Sequence, residues 1–73
     1  MTISYKDHII EPAVYDPPAG SPFNPRVSVR RNIGDSMFEN MLDWPAECGS
    51  REEAERLAIE LAKRKIDEGL EFD

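Results

Sequence analysis

The chain has 73 residues, a formal net charge of −6 and an apolar fraction of 40%. A chain this short makes one domain and buries only about 60% of the surface its unfolded form exposes, and its single cysteine excludes an internal disulfide and fits a reducing, cytoplasmic setting. No basic-then-apolar leader opens the sequence and no apolar run reaches the roughly 18 residues of a membrane span, so neither secretion nor membrane insertion is expected, while the acidity, shared evenly between residues 1–49 and 50–73, disfavours nucleic acid and anionic lipid as partners.

Met1 to Tyr15 reads as extended. Ile3 and Tyr5 alternate with polar residues, Ile9 and Ile10 are strong strand formers, and Lys6-Asp7 is a turn or a bulge. Pro12 marks an edge position or the end of the strand, because it has no N–H for a ladder. A first strand is placed over Ser4–Ile10, extending toward Val14. Asp16 to Pro25 holds four prolines and one glycine, which excludes helix and central strand and describes a stiff connection. Phe23 is expected to tuck from it into the rim of the core. A proline-rich ligand motif at Pro22–Pro25 is weighed and set below the rigid-loop reading.

Arg26 to Ile33 is the clearest strand. Val27 and Val29 share one face, and Ser28 and Arg30 share the other. Gly34-Asp35 signals a turn, and Ser36 to Trp44 returns as a third strand. Met37, Phe38, Met41 and Leu42 are also spaced like one face of a helix, but the preceding turn and the stop at Trp44-Pro45 favour strand.

The segment Ser50 to Leu70 carries a complete set of helix signals. Ser50 and Glu53 form a capping box, in which Glu53 reaches back to the Ser50 amide. Acidic residues occupy the first turns and Lys63, Arg64 and Lys65 the last, complementing the helix dipole. Glu52/Arg56 and Glu60/Arg64 are spaced as i,i+4 pairs, and Gly69 suits a left-handed C-terminal cap. Ala54, Leu57, Ala58, Leu61, Ala62 and Ile66 form the apolar stripe, and Ile59 falls off it, exposed or at its margin. The tail Glu71-Phe72-Asp73 is expected to fray. These elements predict an α+β fold: a three-stranded antiparallel meander packed against one C-terminal helix, in a single domain over residues 1–73, with the sheet over about 3–44 and the helix over about 51–68.

Chemical motifs are sparse. His8 and Cys48 lie forty residues apart in the sequence and are no metal site, since zinc needs about four ligands in tight spacing. Cys48 precedes a helix, where the dipole can lower a thiol pKa, but it is read first as a small, partly buried residue of the loop. Glycine-rich phosphate loops and nucleotide-binding fingerprints are lacking, and no cofactor or metal is expected. The informative residues sit on the sheet. Arg26, Ser28 and Arg30 occupy the face opposite the valines. On a third strand, Met37, Glu39 and Met41 point one way and Phe38, Leu42 and Trp44 the other, so one apolar set leaves the helix-facing core. Either the connection Asp16–Pro25 folds over that outer set or the set meets a partner, since exposed methionine and aromatic side chains mark interaction surfaces; the candidate surface is Arg26, Ser28, Arg30, Met37, Met41 and Trp44.

Tyr5, Ile9–Ile10, Arg26–Arg30, Trp44, the helix start Ser50–Ala54 and the helix end Lys63–Asp67 together resemble a set of short uncharacterised bacterial proteins of unknown function. That resemblance implies a small α+β fold and no activity. The order of a meander followed by a helix is also similar to integrase-type DNA-binding domains, which read DNA with the sheet face, a role open here to Arg26, Arg30 and Arg31. The expectation is therefore a non-enzymatic, cytoplasmic interaction domain acting through its open sheet face on a protein partner or on itself as a homodimer. The alternative is a sheet-face nucleic-acid binder using Arg26 and Arg30.

Overall fold

The computed structural model describes residues 2–70, so the expectation for the tail at residues 71–73 lies outside the described residues. The chain runs through β1 (Ile3–Tyr5), β2 (His8–Pro12), β3 (Arg26–Ile33), β4 (Ser36–Asp43) and α1 (Arg51–Asp67). The four strands form one antiparallel sheet in the order β1-β2-β3-β4, so a meander is present with four strands rather than the three expected.

The additional strand comes from Lys6-Asp7. Both residues are left-handed, at φ +46° and +66°, and they join the directly paired Tyr5 and His8. Two successive positive φ values make a type I′ turn, whose twist matches that of the flanking strands. Its usual sequence is Asn-Gly; Lys6-Asp7, expected as a turn or a bulge, is the turn that folds the first extended segment back on itself. At the second hairpin Gly34 takes φ +63°, which suits the first central position of a two-residue turn and leaves Ile33 opposite Ser36.

The register decides which residues meet the helix. Ile10 pairs with Val29, and Val27 with Leu42, so these four share a face. Ile10, Val27 and Val29 are fully buried there against Ala58, Ile59, Ala62 and Ile66, with Ile3, Tyr5, Leu42, Trp44 and Leu70 around them. Burying each large aliphatic side chain contributes about 2 kcal/mol. The helix contact surface is rotated from the expected stripe. Ala54, Ala58, Ala62 and Ile66 form an i,i+4 row, and Ile59, expected off the stripe, is buried beside it, while Leu57 and Leu61 are only half-buried. The small alanine side chains bring the backbone of α1 close to the sheet, and Ile59 joins the buried cluster beside them.

The helix ends are fixed as their sequence suggests, with one change of partner. The Glu53 amide donates to Ser50 Oγ at 3.2 Å, but the Glu53 carboxylate accepts from the Gly49 amide rather than from Ser50. At the other end Gly69 adopts φ +94° and its amide donates to the Ile66 carbonyl. The proline-rich connection is held by an isolated bridge in which the amides of Phe23 and Cys48 each donate to the other residue's carbonyl, at 3.0 and 2.8 Å. Val14, Cys48 and Ala54 form a second small core beneath it, flanked by Phe23 and Leu57.

The alanine row is a distance constraint, and enlarging it should be costly. Ala58→Leu is expected to destabilise the domain by about 1–3 kcal/mol in urea unfolding, whereas Leu61→Ala at the half-buried margin should cost less. Equal effects at the two positions would contradict the packing described.

Candidate functional site

Helix α1 covers one face of the sheet, and the other face is open. The register places Ile9, Glu11, Arg26, Ser28, Arg30, Met37, Glu39 and Met41 on it. Ser28 stands opposite Met41, and Arg30 opposite Glu39. Ser28 is buried by these neighbours and its hydroxyl donates to Glu39 Oε2 at 2.8 Å. Arg30 lies 3.8 Å from Glu11 Oε2, which also accepts from the Thr2 hydroxyl. Arg30 Nε is buried without a hydrogen-bond partner. Arg26 stacks 4.3 Å from the centre of the Tyr15 ring and donates from Nη1 to the Ala13 carbonyl. Arg26 and Arg30 are thus engaged by Glu11, Tyr15 and backbone among nearby carboxylates, while Arg31, paired with Phe38, lies on the other face of the sheet.

The two methionines occupy the outer part of this face. Met37 is 57% exposed and Met41 44%, and both belong to β4, which forms one edge of the sheet. Trp44 lies elsewhere. It shares the parity of Leu42, packs against the main core under the helix, and donates its amide to the Pro25 carbonyl at 3.2 Å. The proposed surface therefore divides: Arg26, Ser28, Arg30, Met37 and Met41 share the open face, and Trp44 belongs to the other side. The alternation that separates Trp44 from Met41 was readable in the sequence.

Trp44 has a second role that the sequence reading missed. With Tyr15, Pro17, Pro22, Arg26 and Asp43 it lines an open cleft of about 690 Å³ between the proline-rich connection and the end of β4. Arg26 and Asp43 face each other across β3 and β4 at its floor. The available signal was a set of prolines bracketed by Tyr15 and Trp44, but long-range ties bring the two segments together: the Phe23–Cys48 bridge, the Asn24 side chain donating to the Ala46 carbonyl, and the Trp44 amide donating to the Pro25 carbonyl.

Cys48 and His8 do not meet as a catalytic pair. His8 is buried on β2 and donates from Nδ1 to the Lys6 carbonyl at 2.7 Å. Cys48 is buried in the second core. Burial pushes its thiol above the usual cysteine range, and the Glu53 carboxylate adds to the effect. Cys48 is thus the buried loop residue rather than the dipole-activated thiol: it is withdrawn from water, and the capping carboxylate opposes a second negative charge. Among the described residues no group of three or more His, Cys, Asp or Glu side chains is placed to hold a metal ion, and no helix is long and apolar enough to cross a membrane. Comparison of the chain with protein-family models, curated proteins and solved structures gave no match.

Opposite the cleft, the end of α1 is tied to the first hairpin. Asp67 accepts from Lys6 Nζ at 2.5 Å and from the Tyr5 hydroxyl at 2.9 and 3.0 Å. The hydrogen bond from Lys6 holds the Asp67 carboxyl below its ordinary range, reinforced by Tyr5, and the bond to Asp67 raises Lys6. A carboxylate with a depressed folded-state pKa adds stability above its unfolded pKa, and the gain is lost as pH falls through the folded value. A lysine with a raised pKa adds stability below its unfolded value, and the gain is lost as pH rises through the folded one.

Two outcomes follow from these environments. In native protein at neutral pH Cys48 should react with a thiol reagent at least ten-fold more slowly than in urea-unfolded chain, and equal rates would contradict its burial. Asp67→Asn should lower the melting temperature modestly across neutral pH, as expected for exposed groups. The gap to wild type should narrow below about pH 4 and again in strong alkali; a gap independent of pH would remove the ion pair from the account.

Proposed function

We propose that this chain is a small non-enzymatic interaction domain that works through the open face of its sheet. The observation that carries the reading is the exposure of Met37 and Met41, on either side of Glu39, on the face that α1 leaves uncovered. Methionine is flexible and polarizable and fills irregular apolar contacts well, and here the two methionines alternate with Glu39, which is held by Ser28, beside the Arg30–Glu11 pair. A cytoplasmic location goes with this reading and is supported by the lone, buried cysteine.

The alternative, nucleic-acid binding through Arg26 and Arg30, draws support from the position of both arginines on that face. It is disfavoured by their intramolecular partners, by Glu11, Glu39 and Asp43 around them, and by the net charge of −6. Phosphate contacts dominate nucleic-acid affinity and are strongest at low salt.

Incorporating a photoreactive methionine analogue in the native host tests the reading. Irradiation should yield protein adducts that disappear in the Met37→Leu/Met41→Leu variant. Adducts that survive the double substitution, or none at all, would count against the open face. Titration with labelled DNA and RNA at low salt should show no binding; saturable binding lost on Arg26→Ala/Arg30→Ala would favour the alternative.

A further inference from the structure

The outer edge of β4 is a strand edge without a partner among the described residues, and its composition fits a second copy of the same strand. In the two-residue hairpin the flanking Ile33 and Ser36 form a hydrogen-bonded pair, and such pairs alternate along an antiparallel ladder. Ser36, Phe38, Asn40 and Leu42 therefore bond inward to β3, an alternation that the Trp44–Pro25 hydrogen bond continues. Met37, Glu39, Met41 and Asp43 turn their backbone N–H and C=O groups outward. Natural sheets shorten or cover such edges, because an exposed edge templates pairing with another chain. The opposite edge, β1, is only three residues long, whereas β4 has eight.

Both faces of β4 carry apolar side chains. Met37 and Met41 lie on the open face, and Phe38 and Leu42 on the helix side, where both remain half-exposed because α1 packs over β2 and β3. A strand at the edge of a two-layer domain has no use for apolar residues on both faces; a strand in the middle of a wider sheet does.

We propose that two copies of the chain pair β4 to β4 in antiparallel fashion, making one continuous eight-stranded sheet with both helices on the same side. The inference rests on the reading of β4 as an interaction surface; it names the partner and adds the strand edge to the contact. The register follows from hydrogen-bond parity and charge. Outward residues must pair with outward residues, and two such registers use nearly all of β4. One pairs Ser36–Leu42 with itself and sets Glu39 directly against Glu39 of the second copy, which is unfavourable. The other pairs Met37–Asp43 with itself about an axis at Asn40. It sets Glu39 beside Met41, Asp43 beside Met37 and Phe38 beside Leu42 across the seam, with no like charges directly opposite. The second register is the one adopted.

Light scattering after size exclusion should report twice the 8.3 kDa chain mass at micromolar concentration. Glu39→Pro, which removes an outward N–H and leaves the β3–β4 ladder intact, should give a monomer with an unchanged helical circular-dichroism signal. In a Cys48→Ala background, Asn40→Cys should form an intermolecular disulfide under mild oxidation at least ten-fold faster than Phe38→Cys, because the 40–40 pair is non-hydrogen-bonded with Cα atoms about 4.5 Å apart, while the 38–38 pair is displaced by about 14 Å. A monomer up to millimolar concentration, a dimer unaffected by Glu39→Pro, or faster cross-linking at 38 would each overturn the proposal. A monomer that still yields adducts to a different protein at Met37 or Met41 would overturn the dimer and leave the open-face reading standing.

Discussion

The close approach of α1 to the sheet is the constraint on which the remaining features depend. A row of alanines at i,i+4 spacing lets the helix backbone lie low over Ile10, Val27 and Val29. Low docking concentrates the contact on the two central strands. A helix held further away by leucines would need a broader bed and would reach across to β4. Alanine thus settles two matters together: a tight core in a chain too short to build a large one, and a fourth strand only partly covered on the helix side.

Both ends of the helix are then fixed by groups from distant parts of the chain. Near its start, Arg51 bonds the Val14 carbonyl and the Asp16 carboxylate, so the proline-rich connection closes over the second core. Near its end, Asp67 binds the first hairpin through Tyr5 and Lys6. These polar ties are exposed and individually weak, but they fix the direction in which the helix crosses the sheet. With that direction set, the surface left to β4 is set as well: methionines outward on one face, Phe38 and Leu42 half-covered on the other, and an unpaired backbone edge between them.

Most of this was legible in the sequence wherever local chemistry decided the outcome. Ser50, Glu53 and Gly69 marked the helix ends because capping is a local event, and the alternation of Val27, Ser28, Val29 and Arg30 fixed the faces of β3. The first hairpin was half legible: Lys6-Asp7 stood out as a turn or a bulge, but without the Asn-Gly of a two-residue hairpin turn the choice stayed open, and one strand was expected where two form. Ile59 was misjudged since the tilt of a helix on its sheet depends on the partner side chains, and a single-helix pattern does not contain them. Trp44 was grouped with Met37 and Met41 on the strength of its residue type, although strand parity already separated them. The cleft beside Trp44 depends on ties between residues 23–25 and 44–48, which are far apart in sequence, and no local pattern announces them.

An unpaired edge on β4 and a paired one differ in a property that can be read amide by amide. Hydrogen exchange followed by NMR at two protein concentrations tests this most directly. The outward amides of Met37, Glu39, Met41 and Asp43 should be protected at high concentration and lose protection on dilution, while the inward amides of Phe38, Asn40 and Leu42 stay protected throughout. Fast exchange of the outward amides at every concentration would contradict the account of β4 as the strand through which this domain meets its partner.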